Sequence, residues 1–260
     1  MAEISARAAA LDAIRLGELS FGVWQCIPST LSAELLARAG FDWILIDLQH
    51  GGAGWGDLLP LVQAIELGGA LPFVRVGWND SAQIMRALDI GAAGVVVPMV
   101  STAEEAKQAA AATRYPPQGI RSFGPTRNFY DTTHLDQRAL CFVMIETAEG
   151  LANADVIAAT PGIDGLFVGT IDLALSLGQG LGAGLDSVML AAMDRVVASC
   201  ALHRKVAGCV AITPNAAETL AARGMRFLAI GADIGFLDQG AKRDAERAAR
   251  LKAEIATPRH

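Results

Sequence analysis

Short apolar runs separated by amphipathic stretches recur eight times along this 260-residue chain. Each run is apolar at nearly every position, as in parallel strands that are covered on both faces, and the stretches between them have helical spacing. The predicted strands are residues 21–26, 43–46, 71–76, 94–99, 141–146, 165–169, 206–211 and 227–231. Eight strands that alternate with helices predict an α/β fold of the closed (β/α)8 type, the TIM barrel.

An open, doubly wound sheet is the alternative arrangement of the same elements. The chain has no glycine-rich dinucleotide fingerprint at its first helix and no Walker loop, which favours the barrel. We expect residues 1–260 to form a single domain, with a short N-terminal helix in residues 1–20 and a charged, amphipathic C-terminal helix in residues 235–256. Residues 115–140 lack any clear period and predict a long loop, a feature that usually serves as a lid or a binding loop.

Composition and charge exclude several classes of partner. The net charge is −6 and the basic residues are scattered, so we expect no nucleic-acid partner. The uncharged stretches are too short and too rich in Gly and Pro for a membrane span, and residues 1–20 lack the apolar core of a secretory signal. Four cysteines stand singly, as is typical of buried thiols in a reducing compartment, so a cytoplasmic location is predicted.

Polar side chains follow several of the predicted strands where those strands end. They are Asp47, His50, Arg75, Glu146 and Asp172. In a TIM barrel the carboxyl ends of the strands meet at one mouth, so these side chains are expected to share a cavity. Each also has a purely structural alternative, namely a turn cap for either aspartate, a surface position for His50, and a salt bridge between Arg75 and Glu146.

Glu146 and Asp172 follow adjacent strands, so their carboxylates can lie close together. Two carboxylates at such a short distance repel each other unless a cation lies between them. A hard divalent ion that keeps several waters is the natural occupant, with Mg²⁺ or Mn²⁺ as the simplest choices and Co²⁺ as a further one. The four lysines, at positions 107, 205, 242 and 252, are not placed to form a Schiff base at the mouth. Chemistry on a carbonyl compound would therefore depend on a metal ion and Arg75.

Seven segments, taken together and in this order, give the chain a resemblance that covers nearly its whole length. They are IDLQH at 46–50, PFVR at 72–75, LDIGA at 88–92, VPMV at 97–100, YPPQGIR at 115–121, IET at 145–147 and FVGTIDL at 167–173. The chain resembles the HpcH/HpaI family of class II, metal-dependent pyruvate aldolases, whose barrels are of the phosphoenolpyruvate/pyruvate-domain type.

The resemblance implies a role for each matching residue. His50 would be the general base, Asp89 would raise its basicity, and Arg75 would stabilise the enolate. Glu146 and Asp172 would be the protein ligands of the metal ion. The backbone at Ile171 and Asp172, in the segment that begins at Gly169 and Thr170, would bind the carboxylate of the 2-oxo acid.

The implied reaction is the reversible cleavage of a 4-hydroxy-2-oxo acid to pyruvate, or hydroxypyruvate, and an aldehyde. His50 would remove the C4 hydroxyl proton, and the enolate would remain on the ion and Arg75. The resemblance also implies a homo-oligomer, a hexamer in which the last helix is exchanged between neighbours.

Two departures from the family pattern affect the substrate. Met144 stands where heptanedioate-cleaving members carry a substrate-binding glutamine, and Thr170 stands where they carry proline. The less polar wall at Met144 suits a different aldehyde or a different donor, such as hydroxypyruvate. The competing hypotheses are another metal-dependent 2-oxo acid lyase or decarboxylase, a metal-dependent hydrolase, and a non-catalytic binding barrel.

Overall fold

Eight parallel strands close into a barrel in the computed structural model, which describes residues 2–124, 127, 139–180, 184–211 and 213–256. The strands pair in sequence order, and β1 pairs with β8 to complete the circle. The strands are β1 (Ser20–Gln25), β2 (Trp43–Asp47), β3 (Leu71–Arg75), β4 (Gly94–Val97), β5 (Leu140–Ile145), β6 (Gly165–Val168), β7 (Val206–Val210) and β8 (Phe227–Ala232). The predicted (β/α)8 fold is confirmed.

Helices connect the strands and cover the outside of the barrel. They are α1 (Ala2–Arg15), α2 (Thr30–Arg38), α3 (Leu58–Gly68), α4 (Ser81–Ile90), α5 (Ala103–Thr113), α6 (Ala148–Ala152), α7 (Ala154–Ala158), α8 (Thr170–Ser176), α9 (Ser187–Leu202), α10 (Pro214–Ala222) and α11 (Asp233–Ala256). Several of them have a side chain at the N-cap that accepts a backbone N–H of the first turn. Thr102 and Glu105 form a complete capping box at α5. None of the helices in the described part of the chain combines the length and apolar character that a bilayer span needs.

The interior of the barrel is filled by aromatic rings. Trp43 stacks on Phe227 with ring centroids 3.9 Å apart, and Phe142 also stacks on Phe227, with ring centroids 4.5 Å apart. Glycines on neighbouring strands make room for these rings, since a Cβ at Gly22 would overlap the Trp43 ring and a Cβ at Gly165 would overlap Phe142. Large and small residues therefore alternate around the barrel, and its interior is a packed core with no channel.

Helix α1 closes the N-terminal end of the barrel. Its residues Leu11 and Ile14 are buried among the interior side chains. Asp164, just before β6, accepts from Arg114 at 2.9 Å and from Arg15 at 3.3 Å, which ties α1 and the end of α5 to this end. The strands' carboxyl ends are left as the open mouth.

The segment predicted as a long loop begins after α5, at the N-terminal end of the barrel. Its described residues turn back on that helix, where the Ile120 and Arg121 N–H groups donate to the carbonyls of Ala111 and Arg114. Residues 125–126 and 128–138 of the predicted loop lie outside the described residues. The described portion packs at the opposite end of the barrel from the mouth, so a role as a lid over the same chain's mouth gains no support.

Replacing Gly22 by Ala is expected to lower the free energy of unfolding by about 1–3 kcal/mol, because the new methyl group must displace the Trp43 ring in a packed interior. Urea unfolding followed by far-ultraviolet circular dichroism measures the change. Gly240→Ala, in α11 where nothing lies within 4 Å of a new Cβ, is the matched control and should be neutral or stabilising. Equal midpoints for Gly22→Ala and the wild type would contradict the packing described above.

Candidate active site

A buried ion pair crosses the mouth between β2 and β3. Asp47 and Arg75 are register partners at the ends of these strands. The guanidinium Nε donates to Asp47 Oδ1 at 2.9 Å, and Nη2 donates to Oδ2 at 2.7 Å. Both residues are almost fully buried, with 1% and 8% of their surfaces exposed. The fork-to-fork geometry fixes the orientation of the guanidinium and leaves its other N–H groups free to face the mouth.

Asp47 also shapes the loop that carries His50. Its Oδ1 accepts the backbone N–H groups of Gln49 at 3.0 Å and His50 at 3.1 Å, so the turn-cap role considered above is present in addition to the ion pair. Burial raises the pKa of Asp47, but the hydrogen bond and the charge of Arg75, aided by the His50 N–H and the indole of Trp24, outweigh it and lower that pKa. Asp47 is therefore an ionised structural centre of the mouth.

His50 lies on the exposed loop after β2, and its side chain is accessible. The loop is held close to the end of β1, because the Gly52 N–H donates to the Cys26 carbonyl at 2.8 Å. The charge of His50 lowers the pKa of Glu146, so the two side chains lie within electrostatic range of each other. The structure thus brings His50 to the mouth, as the sequence predicts.

Glu146 follows directly after β5 and is buried, with 2% of its surface exposed. Its Oε2 accepts the Met99 N–H at 2.8 Å. Met99 has φ +57°, a left-handed conformation that is uncommon for a residue with a side chain, and this turn ends the predicted strand 94–99 at Val97. The salt bridge with Arg75, considered above as the structural alternative for Glu146, does not form, because Arg75 pairs with Asp47 instead.

Burial is the main cause that raises the pKa of the Glu146 carboxyl, and the nearby Asp172 raises it further. The Met99 N–H and the charges of Arg75 and His50 oppose this rise without cancelling it. Four of the predicted site residues, His50, Arg75, Glu146 and Asp172, therefore interact electrostatically across one mouth. The surroundings of Glu146 disfavour its ionised form, and a cation bound beside it would stabilise that charge.

Helix α8 presents its first turn and Asp172 to the same mouth. The cap residue is Gly169, so Asp172 lies inside the first turn and is not the cap considered as its structural alternative. Asp172 is exposed. The N–H groups of Thr170, Ile171 and Asp172 belong to the first turn, where an α-helix leaves donors unpaired. Such donors are suited to an anionic group.

Gly169 permits the close approach of α8 to Glu146. A Cβ at this position would lie 2.5 Å from Glu146 Cγ and Oε1. Because Gly169 has no side chain, the end of β6 leaves space for the Glu146 carboxylate. Two carboxylates with this access fit a hard divalent cation, which prefers oxygen ligands and retains water. Among the described residues, no group of three or more His, Cys, Asp and Glu side chains could hold a metal ion, so this part of the chain would supply two ligands.

Asp89 is the one predicted catalytic residue that lies away from this mouth. It belongs to the last turn of α4, just before β4, and its Oδ1 accepts from Arg121 Nη2 at 2.9 Å. Helices of this barrel run antiparallel to the strands, so the end of α4 lies at the N-terminal end of the barrel. His50 follows the opposite end of β2. Within one chain the two residues are separated by the length of the strands, roughly 15 Å.

Met144 points into the barrel two residues before Glu146 and has 2% of its surface exposed. It belongs to the interior cluster beneath the mouth, with Trp24 and Phe167. The floor under the candidate cation site is therefore apolar.

The lysines are absent from the described part of the mouth. Lys205 donates to the Ile163 carbonyl at 2.7 Å at the N-terminal end of the barrel, and Lys242 pairs with Asp238 on α11. A cavity of about 600 Å³ adjoins the mouth between α8 and α10, and its lining includes Thr170, Ile171 and Val210. None of the charged site residues lines it, so this cavity is a neighbour of the site rather than its centre.

Two residues of the mouth were not predicted from the sequence. Trp24 donates from Nε1 to Asp47 Oδ2 at 3.1 Å, and Met99 holds Glu146 through its backbone. The position of Trp24 at the end of an apolar strand was the one available signal. The N–H of Met99 leaves no signal in the sequence, because any residue has this group.

Asp47→Asn is expected to lower the free energy of unfolding by roughly 3–5 kcal/mol at pH 7, because Arg75 is then buried beside a neutral partner. The native pKa of Asp47 lies below the unfolded value of about 3.9, so this contribution is complete above that pH. It shrinks as the pH falls through the native pKa. Urea unfolding of both proteins at a series of pH values measures it.

The matched control for this substitution is Asp12→Asn, which breaks an exposed ion pair with Arg15 in which 62% of the Asp12 side chain is accessible. It should cost less than about 1 kcal/mol. A similar loss in both variants would contradict the assignment of Asp47 as the structural centre of the mouth.

Comparison with known proteins identifies the family of this chain. Residues 20–239 match the family model described as HpcH/HpaI aldolase/citrate lyase. A relative named hydroxypyruvate/pyruvate aldolase, from Rhizorhabdus wittichii, is 40% identical over 232 residues, which are 87% of this chain and 92% of the relative. A 5-keto-4-deoxy-D-glucarate aldolase from Escherichia coli is 34% identical over 243 residues, 90% of this chain and 94% of the relative.

Among solved structures, an HpcH/HpaI aldolase/citrate lyase family protein from Burkholderia cenocepacia superimposes with a TM-score of 0.86 and 31% identity. The match covers 93% of this chain and 99% of the other. The family model spans all eight strands described above, and the relatives are aligned over almost their whole length. This chain belongs to the HpcH/HpaI aldolase/citrate lyase family.

Proposed function

We propose that this protein is a class II aldolase, a carbon–carbon lyase that reversibly cleaves 4-hydroxy-2-oxo acids to pyruvate or hydroxypyruvate and an aldehyde. The observation that carries this proposal is the convergence of a buried glutamate, a second carboxylate, an arginine and an accessible histidine at the mouth of a barrel of this family. The named aldolase relatives support the reaction type.

Glu146 and Asp172 would hold the divalent cation that the family uses, and we propose Mg²⁺ or Mn²⁺, with Co²⁺ as a further candidate. When bound, such an ion acts as a Lewis acid toward a 2-oxo acid. With two protein ligands, most of its coordination positions remain for water and substrate. The unpaired N–H groups in the first turn of α8, at Ile171 and Asp172, would orient the substrate carboxylate.

Arg75 would stabilise the oxyanion that develops at C2. Asp47 uses the Nε–H and one Nη2 hydrogen of this guanidinium, so the remaining N–H groups are fixed in direction before the substrate arrives. Preorganised donors of this kind favour the charge of the transition state over the neutral ketone. His50, accessible at the same mouth, would remove the proton from the C4 hydroxyl during cleavage and return it during synthesis.

The donor specificity is proposed from Met144. Its apolar side chain lies below Glu146 in the barrel interior, at the position where the resemblance puts a glutamine in heptanedioate-cleaving members. The relative from Rhizorhabdus wittichii, named for both donors, supports the use of hydroxypyruvate as well as pyruvate.

Asp89 would act on His50 of a second copy of this chain. Within one chain the two lie at opposite ends of the barrel, so the role that the family resemblance implies requires a neighbouring subunit. An oligomer, which the resemblance puts at a hexamer, is supported by α11. From residue 241 to residue 255 this helix is exposed throughout, and none of the described residues covers its apolar Leu251 and Ile255.

The reaction is tested by proton exchange. In D₂O, protein supplied with Mg²⁺ or Mn²⁺ should exchange the C3 protons of pyruvate or hydroxypyruvate for deuterium, which proton NMR measures. The same protein should cleave aldol products formed from a panel of aldehydes. Chelation or Glu146→Gln should lower both rates by about a hundredfold or more, since several kcal/mol of oxyanion stabilisation are lost.

Glu18→Gln is the matched control, because Glu18 is an exposed glutamate just before β1, at the closed end of the barrel. It should leave both rates unchanged. Exchange that survives exhaustive chelation would overturn the metal-dependent mechanism. Exchange or carbon dioxide release without any cleavage to an aldehyde would favour another 2-oxo acid lyase or a decarboxylase.

The partnership of Asp89 with a second copy is tested by mixing subunits. Asp89→Asn and His50→Ala proteins should each have low activity, and unfolding and refolding them together should restore up to about a quarter of the wild-type rate, because some hybrid interfaces carry both intact residues. His50→Ala mixed with Arg75→Lys is the control, since both changes affect the same mouth. Restoration in the control, or none in the test mixture, would contradict the proposed partnership.

A further inference from the structure

Trp24 occupies the inward position at the C-terminal end of β1, directly under the mouth. Only 7% of its surface is exposed. Its ring lies 5.6 Å from that of Phe167, centroid to centroid, and Phe167 in turn contacts Phe227 in the aromatic interior. The indole is therefore held from below by the packed core of the barrel, and its upper side meets the charged residues of the mouth.

The indole makes two contacts there, one with each member of the buried ion pair. Its Nε1–H donates to Asp47 Oδ2 at 3.1 Å. The Cζ of Arg75 lies 4.8 Å from the centroid of its ring. Because Asp47 Oδ2 also accepts from Arg75 Nη2, the three side chains form a closed set in which each touches the other two.

These contacts restrict the guanidinium in the directions that the ion pair leaves open. Asp47 fixes the guanidinium edge that carries Nε and Nη2, and the central carbon of the guanidinium lies over the indole ring. The N–H groups left for a ligand therefore point along the free edge. The indole N–H also shares the Asp47 carboxylate, which leaves more of the Arg75 charge for an oxyanion at the mouth.

We propose that Trp24 is a positioning residue for the aldolase reaction, acting through Arg75. This inference rests on the proposed function, since the orientation of Arg75 matters for rate only if Arg75 stabilises the developing oxyanion. The indole holds the guanidinium edge toward the C2 oxygen and does not itself need to touch the substrate. The alternative is that Trp24 serves only as a core residue.

The test compares two substitutions. Trp24→Phe keeps an aromatic ring and removes the N–H, and Trp24→Leu removes both contacts. For proton exchange and cleavage we expect kcat to fall about tenfold in the first and about a hundredfold in the second, as for lost hydrogen-bond and cation–π contacts to charged groups. The KM for pyruvate and the affinity for Mn²⁺ should stay within about twofold, because neither contact holds the metal or the carboxylate.

Binding of oxalate to the Mn²⁺-loaded protein, measured by calorimetry, gives a second readout that needs no turnover. Oxalate is a planar dianion that resembles the enolate of pyruvate, and its affinity should fall about tenfold in Trp24→Phe. In an Arg75→Lys background the same substitution should have less than about a twofold effect, because the group through which Trp24 acts is gone.

Trp43→Phe is the matched control, since it makes the same change in the same aromatic interior at the closed end of the barrel. It should leave kcat and oxalate affinity unchanged even if the melting temperature falls. Wild-type kcat and oxalate affinity in Trp24→Phe, or an equal effect in both Arg75 backgrounds, would overturn the inference. A wild-type protein that neither exchanges nor cleaves would instead refute the proposed function.

Discussion

A carboxylate buried without a cationic partner is the constraint on which this site depends. Glu146 has 2% of its surface exposed, and in the described residues no ion pair involves it. The backbone N–H of Met99 donates a hydrogen bond to it, and Asp172 adds a second negative charge nearby. Such an arrangement is unfavourable in the protein alone, and a divalent cation held by the two carboxylates, as we propose, would make it favourable.

The rest of the barrel keeps this charge in place. At the N-terminal end α1 and the ion pairs of Asp164 close the interior, while the aromatic rings fill its middle. Stability is thus concentrated at one end of the strands and reactive groups at the other, as in other barrels of this fold. Asp47 links the two parts, because it is buried like a core residue and orders both Arg75 and the loop of His50.

The sequence predicted the framework well because closed parallel barrels leave strong patterns. Fully apolar runs marked each strand to within about two residues, and the strand ends placed Asp47, Arg75 and Glu146 at one mouth. Strand β4 ends earlier than predicted because Met99 adopts a left-handed conformation, which hydrophobicity does not reveal. The catalytic role of Asp89 came from the family resemblance alone.

What the sequence did not supply is which side chains touch which. That Arg75 pairs with Asp47 rather than with Glu146 depends on strand register, which a single sequence leaves open. The contacts of Trp24 depend on the same register and on the glycine-lined interior. Asp89 shows this limit of the sequence most clearly. Its place at the end of α4 was predictable, but its distance from His50 became known only from the three-dimensional arrangement of the barrel.

The central claim is that Glu146 and Asp172 together bind one divalent cation. Titration of the metal-free protein with Mn²⁺, followed by electron paramagnetic resonance of the free ion, tests it without any assumption about substrate. The account predicts one bound Mn²⁺ per chain in the wild type and at least about a hundredfold weaker binding in Asp172→Asn, which loses one of two protein ligands. Unchanged Mn²⁺ binding in Asp172→Asn would contradict it.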